Sequence, residues 1–77
     1  MSSRKLKIRT AEVSYADRIE EYRVVAKSDV EARDMLVDYL AGGEAWDNIR
    51  IYDAEEAGTE PAGVVGKITS RKRRREN

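Results

Sequence analysis

Leu6 and Ile8 alternate with Lys5, Lys7 and Arg9 near the start of the chain, and this period of two predicts a half-buried strand. Ala11, Val13 and Tyr15 then continue on the opposite parity, so a bulge or bend near Thr10 is expected, unless the strand ends there. Ser14 and Asp17 supply turn chemistry. In the stretch "EEYRVVAK", Tyr22, Val24 and Ala26 alternate with Glu21, Arg23, Val25 and Lys27. Two alternating runs joined by a short polar link predict an antiparallel hairpin.

The pattern changes at Ser28. Ala32, Met35, Leu36, Tyr39 and Leu40 recur at helical spacing and form one apolar stripe. Ser28 is a suitable N-cap, Glu31 stands at the capping-box distance, and Asp29 adds negative charge to the first turn. Gly42 and Gly43 are expected to end the helix. Its outward face carries Glu31, Asp34 and Asp38.

Beyond the glycines, "NIRIYD" alternates Ile49 and Ile51 with Asn48, Arg50 and Tyr52 and predicts a short third strand. "AEEAGTEPAG" has no periodicity and reads as a loop, and "GVVGKIT" as a fourth strand despite Gly66. The expected fold class is therefore α+β in the order β-β-α-β-β, with one helix packed on one face of a small antiparallel sheet. Residues 1–69 form the single domain, and residues 70–77 a disordered, flexible basic tail. The second sheet face, with Arg23, Lys27 and Arg50, is left exposed. Tyr22 and Tyr39 are assigned to the core, and Tyr15 and Tyr52 to the surface. Trp46 has two readings, a plug at the edge of the core (favoured) or an anchor for a partner.

Composition sharpens this picture. In 77 residues the apolar share is 40% and the charged share 39%, so one small core lies beneath a densely ionic surface. A chain this short leans on a twin or a larger partner when it has no staple, and cysteine and histidine are both absent. No apolar run reaches membrane-spanning length, and "MSSRKLKIR" lacks the apolar stretch of a signal peptide, so a cytoplasmic protein is expected. The net charge of zero conceals segregation: +4 before Thr10, −9 from residue 10 to 66, and +5 from Lys67 onward.

Candidate chemistry is sparse. There is no nucleophile–base pair and no phosphate loop, since "GVVGK" lacks the required spacing. The chain is expected to be neither an enzyme nor a cofactor or metal binder. An acidic body suits docking on a basic protein surface, with Glu31, Asp34, Asp38, Glu55, Glu56, Glu60 and Trp46 as contact candidates. The alternative is a nucleic-acid accessory protein that grips phosphates through Arg4, Lys5, Lys7, Arg71, Lys72, Arg73, Arg74 and Arg75. The acidic body opposes that reading by repelling the same polyanion. A structural homo-oligomer, such as a homodimer, is favoured if the exposed sheet face is apolar.

The stretch "EYRVVAKSDVEARDMLVDYLAGGEAWDNIRIYD", residues 21–53, resembles a pattern in small phage and mobile-element proteins. In these a strand ending V-x-A enters a capped helix opening S-x-x-E-A, and a short aromatic-flanked strand follows. Some anti-CRISPR inhibitors are similar in size and layout. The resemblance implies a stoichiometric binder that blocks a host complex without catalysis, and it carries over no functional residues. A second likeness is to the sheet-plus-helix DNA-binding domains of phage integrases, from which the fourth strand departs.

Overall fold

The computed structural model describes residues 6–72. Four strands and one helix follow in the order β1 (Lys7–Ser14), β2 (Arg18–Ala26), α1 (Asp29–Tyr39), β3 (Asn48–Glu56) and β4 (Gly63–Lys72). The α+β class and the β-β-α-β-β order are those expected. The strands form one antiparallel sheet in the order β3-β1-β2-β4, so the hairpin occupies the centre and both later strands are edges.

β1 and β2 pair without interruption from Lys7↔Ala26 to Ser14↔Ile19. At the turn, the Tyr15 N–H donates to the Arg18 carbonyl at 2.8 Å. The phase change in β1 therefore has a different cause from the one expected. β1 continues through Thr10 in unbroken pairing with β2, which puts Ile8 on one side of the sheet and Ala11 and Val13 on the other. The bulge near this level lies in the neighbouring strand. Thr10 pairs with Tyr52 and Arg9 with Ala54, which leaves Asp53 unpaired at φ 62°.

Helix α1 lies on the face formed by Ala11, Val13, Tyr22, Val24, Ala26 and Ile49, and it inserts Ala32 and Leu36 into that core. Met35, Val37, Leu40, Trp46, Ile51 and Val64 pack around the margin. Alternation puts Tyr22, Val24 and Ala26 inward together, as the pattern requires. At the helix start the Glu31 N–H donates to Ser28 Oγ at 3.1 Å. The Glu31 carboxylate accepts from the Lys27 N–H at 2.7 Å, one residue earlier than in the usual box. Arg9 closes the same end, with Nη1 2.6 Å from Asp29 and Nη2 donating to the Lys27 carbonyl. The Leu40 N–H caps the last turn by donating to the Leu36 carbonyl at 2.9 Å. Gly42 follows at φ 85°, a backbone state that glycine adopts without penalty.

Several assignments change. Tyr15 is buried (4% exposed), because the turn folds its ring beneath the Arg18 guanidinium, 4.1 Å from the ring centroid. Tyr39 is 56% exposed, and its ring meets the core edge-on at Tyr22, 6.0 Å between centroids. β3 runs to Glu56 and so takes Ala54, Glu55 and Glu56 out of the expected loop, since β1 offers Lys7 to Arg9 as pairing partners. β4 continues through Ser70, Arg71 and Lys72, which the sequence placed in the flexible tail; the ladder with Arg18, Ile19 and Glu20 holds them. The remainder of that tail lies outside the described residues. Among the described residues, no helix is long and apolar enough to cross a membrane.

Candidate functional site

The carboxylates divide into those engaged inside the fold and those left outward. Asp34 and Asp38 are exposed on α1, Glu55 and Glu56 on the end of β3, and Glu60 on the β3–β4 loop. None of these five forms an ion pair or side-chain hydrogen bond among the described residues. Glu31, expected beside them, is only partly exposed and is engaged in capping the helix. Trp46 is half-buried against the core with the Arg33 guanidinium 5.8 Å from its ring centroid, which fits the edge plug.

The sequence reading did not identify the buried carboxylate of Glu20, only 6% exposed on the helix side of the sheet. The signal was present, because Glu20 shares the parity of Tyr22, Val24 and Ala26. Its Oε1 accepts from the Tyr22 hydroxyl at 2.9 Å, its Oε2 accepts from Arg18 Nε at 2.8 Å, and Lys67 Nζ lies 3.6 Å from Oε2. Arg18 also holds Glu44, from the α1–β3 loop, at 2.7 Å and Asp17 at 2.9 Å. One guanidinium thus ties the hairpin turn, β2 and the loop after the helix together. Burial alone would raise the pKa of Glu20, but the hydrogen bonds from Arg18 and Tyr22 outweigh it and hold the carboxyl below its ordinary pKa. Burial and then the same hydrogen bond push the Tyr22 phenol well above its ordinary value.

The opposite sheet face is open and polar at its centre. Glu12 and Glu21 stand directly across from each other on β1 and β2. Arg71 donates from Nη2 to Glu12 at 3.0 Å and places Nη1 3.6 Å from Glu21. The Tyr52 hydroxyl donates to Glu21 at 2.5 Å, and this bond, more than burial, pushes the phenol up to about 12. Arg50 lies 5.6 Å from the Tyr52 ring centroid. The condition set for a face-to-face homo-oligomer, an apolar open face, is therefore not met at its middle. Apolar side chains are confined to its ends, where Val25 is fully buried and Ile8 and Ile19 are partly exposed.

Lys7 and Lys72, the described candidates at the two ends, are not brought together. Lys7 opens β1 level with Ala26, whereas Lys72 closes β4 level with Arg18, eight pairing positions away along β2. At a rise of about 3.4 Å per residue the two ends are roughly 27 Å apart. Of the candidates for phosphate, Arg71 is engaged by Glu12, and Arg4, Lys5, Arg73, Arg74 and Arg75 lie outside the described residues. No group of three or more His, Cys, Asp or Glu positioned to hold a metal ion occurs among the described residues. Comparison with protein-family models, with curated proteins and with solved structures finds no match to this chain.

Proposed function

We propose that the chain is a non-enzymatic protein-binding module that docks on a basic partner surface through its outward carboxylates. The observation that carries this reading is the division of acids. Asp17, Glu12, Glu20, Glu21 and Glu44 are all matched by internal cations, whereas Asp34, Asp38, Glu55, Glu56 and Glu60 are exposed and unmatched among the described residues. Unmatched surface charge of one sign steers association with the opposite sign and contributes more to encounter rate and selectivity than to fold. The narrower form, a phage-type stoichiometric inhibitor, rests on the likeness of residues 21–53 to such proteins.

The test is a direct binding comparison. The full chain is titrated against labelled Arg- and Lys-rich peptides, duplex DNA and single-stranded RNA, at low and at moderate salt. Binding to the basic peptides that weakens in Asp34→Lys/Asp38→Lys and Glu55→Lys/Glu56→Lys supports the proposal. Salt-sensitive binding to nucleic acid that disappears when residues 73–77 are removed overturns it in favour of backbone gripping by the basic end.

A further inference from the structure

β3 forms one edge of the sheet, and among the described residues no strand pairs with its outer side. It carries two unmatched side chains of opposite charge. Arg50 and Glu55 are both exposed, and neither forms an ion pair among the described residues. Both lie on the open face, because Arg50 pairs with Glu12 and Glu55 with Ile8. Ile49, Ile51, Ala54 and Glu56 lie on the helix side, level with Val13, Ala11, Arg9 and Lys7. The extra residue, Asp53, is what brings an even-numbered and an odd-numbered position to the same face. An edge with unpaired backbone groups is a template for another strand.

The placement of these residues about the bulge selects a second copy of this chain as the occupant. Consider two β3 strands antiparallel about a twofold axis that passes through the sheet at Tyr52, with Asp53 the extra residue in each. Arg50 then stands opposite the partner's Glu55, and Glu55 opposite the partner's Arg50, all four on the open face. On the helix side Ile51 stands opposite the partner's Ala54, and Ala54 opposite the partner's Ile51. Every contact is reciprocal, as a twofold interface requires, and opposite charges across a ladder attract. A bulge ordinarily blunts an edge against pairing. Here both strands carry the same bulge, so the shift in one is matched by the shift in the other and side chains meet on a common face. Sliding the register by two positions in either direction keeps the faces but separates both Arg50–Glu55 pairs. The two Asp53 side chains, flanking the axis, are the like charges that oppose the arrangement.

We infer that the chain forms a twofold dimer through its β3 edges in this register, held by two Arg50–Glu55 ion pairs and two Ile51–Ala54 contacts. The two four-stranded sheets then run on as one. A chain of 77 residues without cysteine gains in this way contact that its own small core lacks. The dimer goes beyond the acidic docking reading and does not rest on it, since it engages Glu55 and leaves Asp34, Asp38 and Glu60 outward.

Sedimentation equilibrium of the full chain over rising concentration at low salt tests the inference. The expected mass climbs from the 8.8 kDa of one chain towards twice that value. Arg50→Glu and Glu55→Arg each set like charges opposite one another and hold the mass at one chain, with an unchanged circular dichroism spectrum. Mixing the two variants restores the dimer as an unlike pair, because every Arg50–Glu55 position is again filled by opposite charges. Val65→Lys, on the other edge of the sheet, leaves dimerisation intact. A mass of one chain at every concentration overturns the inference, as does a dimer insensitive to both single substitutions or a mixture that stays at one chain. If either substitution unfolds the chain, amide hydrogen exchange of the parent decides: protection of residues 49–56 that fails to rise with concentration overturns the inference.

Discussion

Glu12 and Glu21 face each other across the β1–β2 ladder, and Arg71, from the far edge strand, reaches both, 3.0 Å from one and 3.6 Å from the other. Two carboxylates directly opposite on a sheet repel. The guanidinium turns that repulsion into a clamp joining β1, β2 and β4, and the Tyr52 hydroxyl adds β3 through Glu21. A residue assigned to a flexible tail thus helps to fasten the sheet.

Arg71→Gln should therefore lower the thermal midpoint at low ionic strength, and the difference from the parent should shrink as salt is added, because exposed pairs are screened. Adding Glu12→Gln to Arg71→Gln should recover part of the loss by removing the repulsion. Melting curves of the four chains of this cycle at two salt concentrations measure the coupling.

Stability should fall on acidification through Glu20. Its folded-state pKa is depressed, so its contribution is complete above the unfolded value and is lost as pH falls through the folded one. Replacing it by leucine leaves the Tyr22 hydroxyl and Arg18 Nε without their acceptor. The expected cost at neutral pH is about 1–3 kcal/mol, with a flatter acid limb. Urea denaturation at several pH values gives both.

Tyr52 acts at the opposite end of the scale. Its folded value is raised to about 12 against 10.0 for an ordinary phenol, so stability that is present below pH 10 is lost as pH rises through 12. Tyr52→Phe should remove that alkaline loss, and phenolate absorbance during the titration should show one fewer late-ionising tyrosine.

The N-cap offers a local test. Ser28→Ala removes the acceptor for the Glu31 N–H and should cost about 1 kcal/mol in urea denaturation. Ser28→Asp should be near neutral.

Asp53 probes the β3 bulge. At φ 62° a branched side chain is strained, so Asp53→Val should destabilise by about 1–2 kcal/mol, whereas Asp53→Gly should be neutral or slightly stabilising. The sign of the difference between these two variants, measured by urea denaturation, checks the left-handed backbone.

Local periodicity determined much of this protein. Alternation in "EYRVVA" fixed which side of β2 is buried, and the spacing from Ser28 to Leu40 fixed the helix, its cap and its inward stripe. These features depend on neighbours within four residues, which the chain order itself specifies. Charge counting likewise exposed the acidic body between basic ends.

What only tertiary structure decided is partnership across strands. Whether Glu55, Glu56, Ser70 and Arg71 belong to loops or strands depends on β1 and β2 being long enough to pair with them. Tyr15 is buried only because the turn returns Arg18 over its ring, and Tyr39 is exposed although it lies on the apolar stripe. The ionic assignments follow the same rule. Arg9, Arg18 and Arg71 find carboxylates twenty, twenty-six and fifty-nine residues away, contacts that no local pattern encodes. Sequence alone settled which residues carry charge. The sheet order, by choosing neighbours, settled which charges are matched within the fold and which face outward.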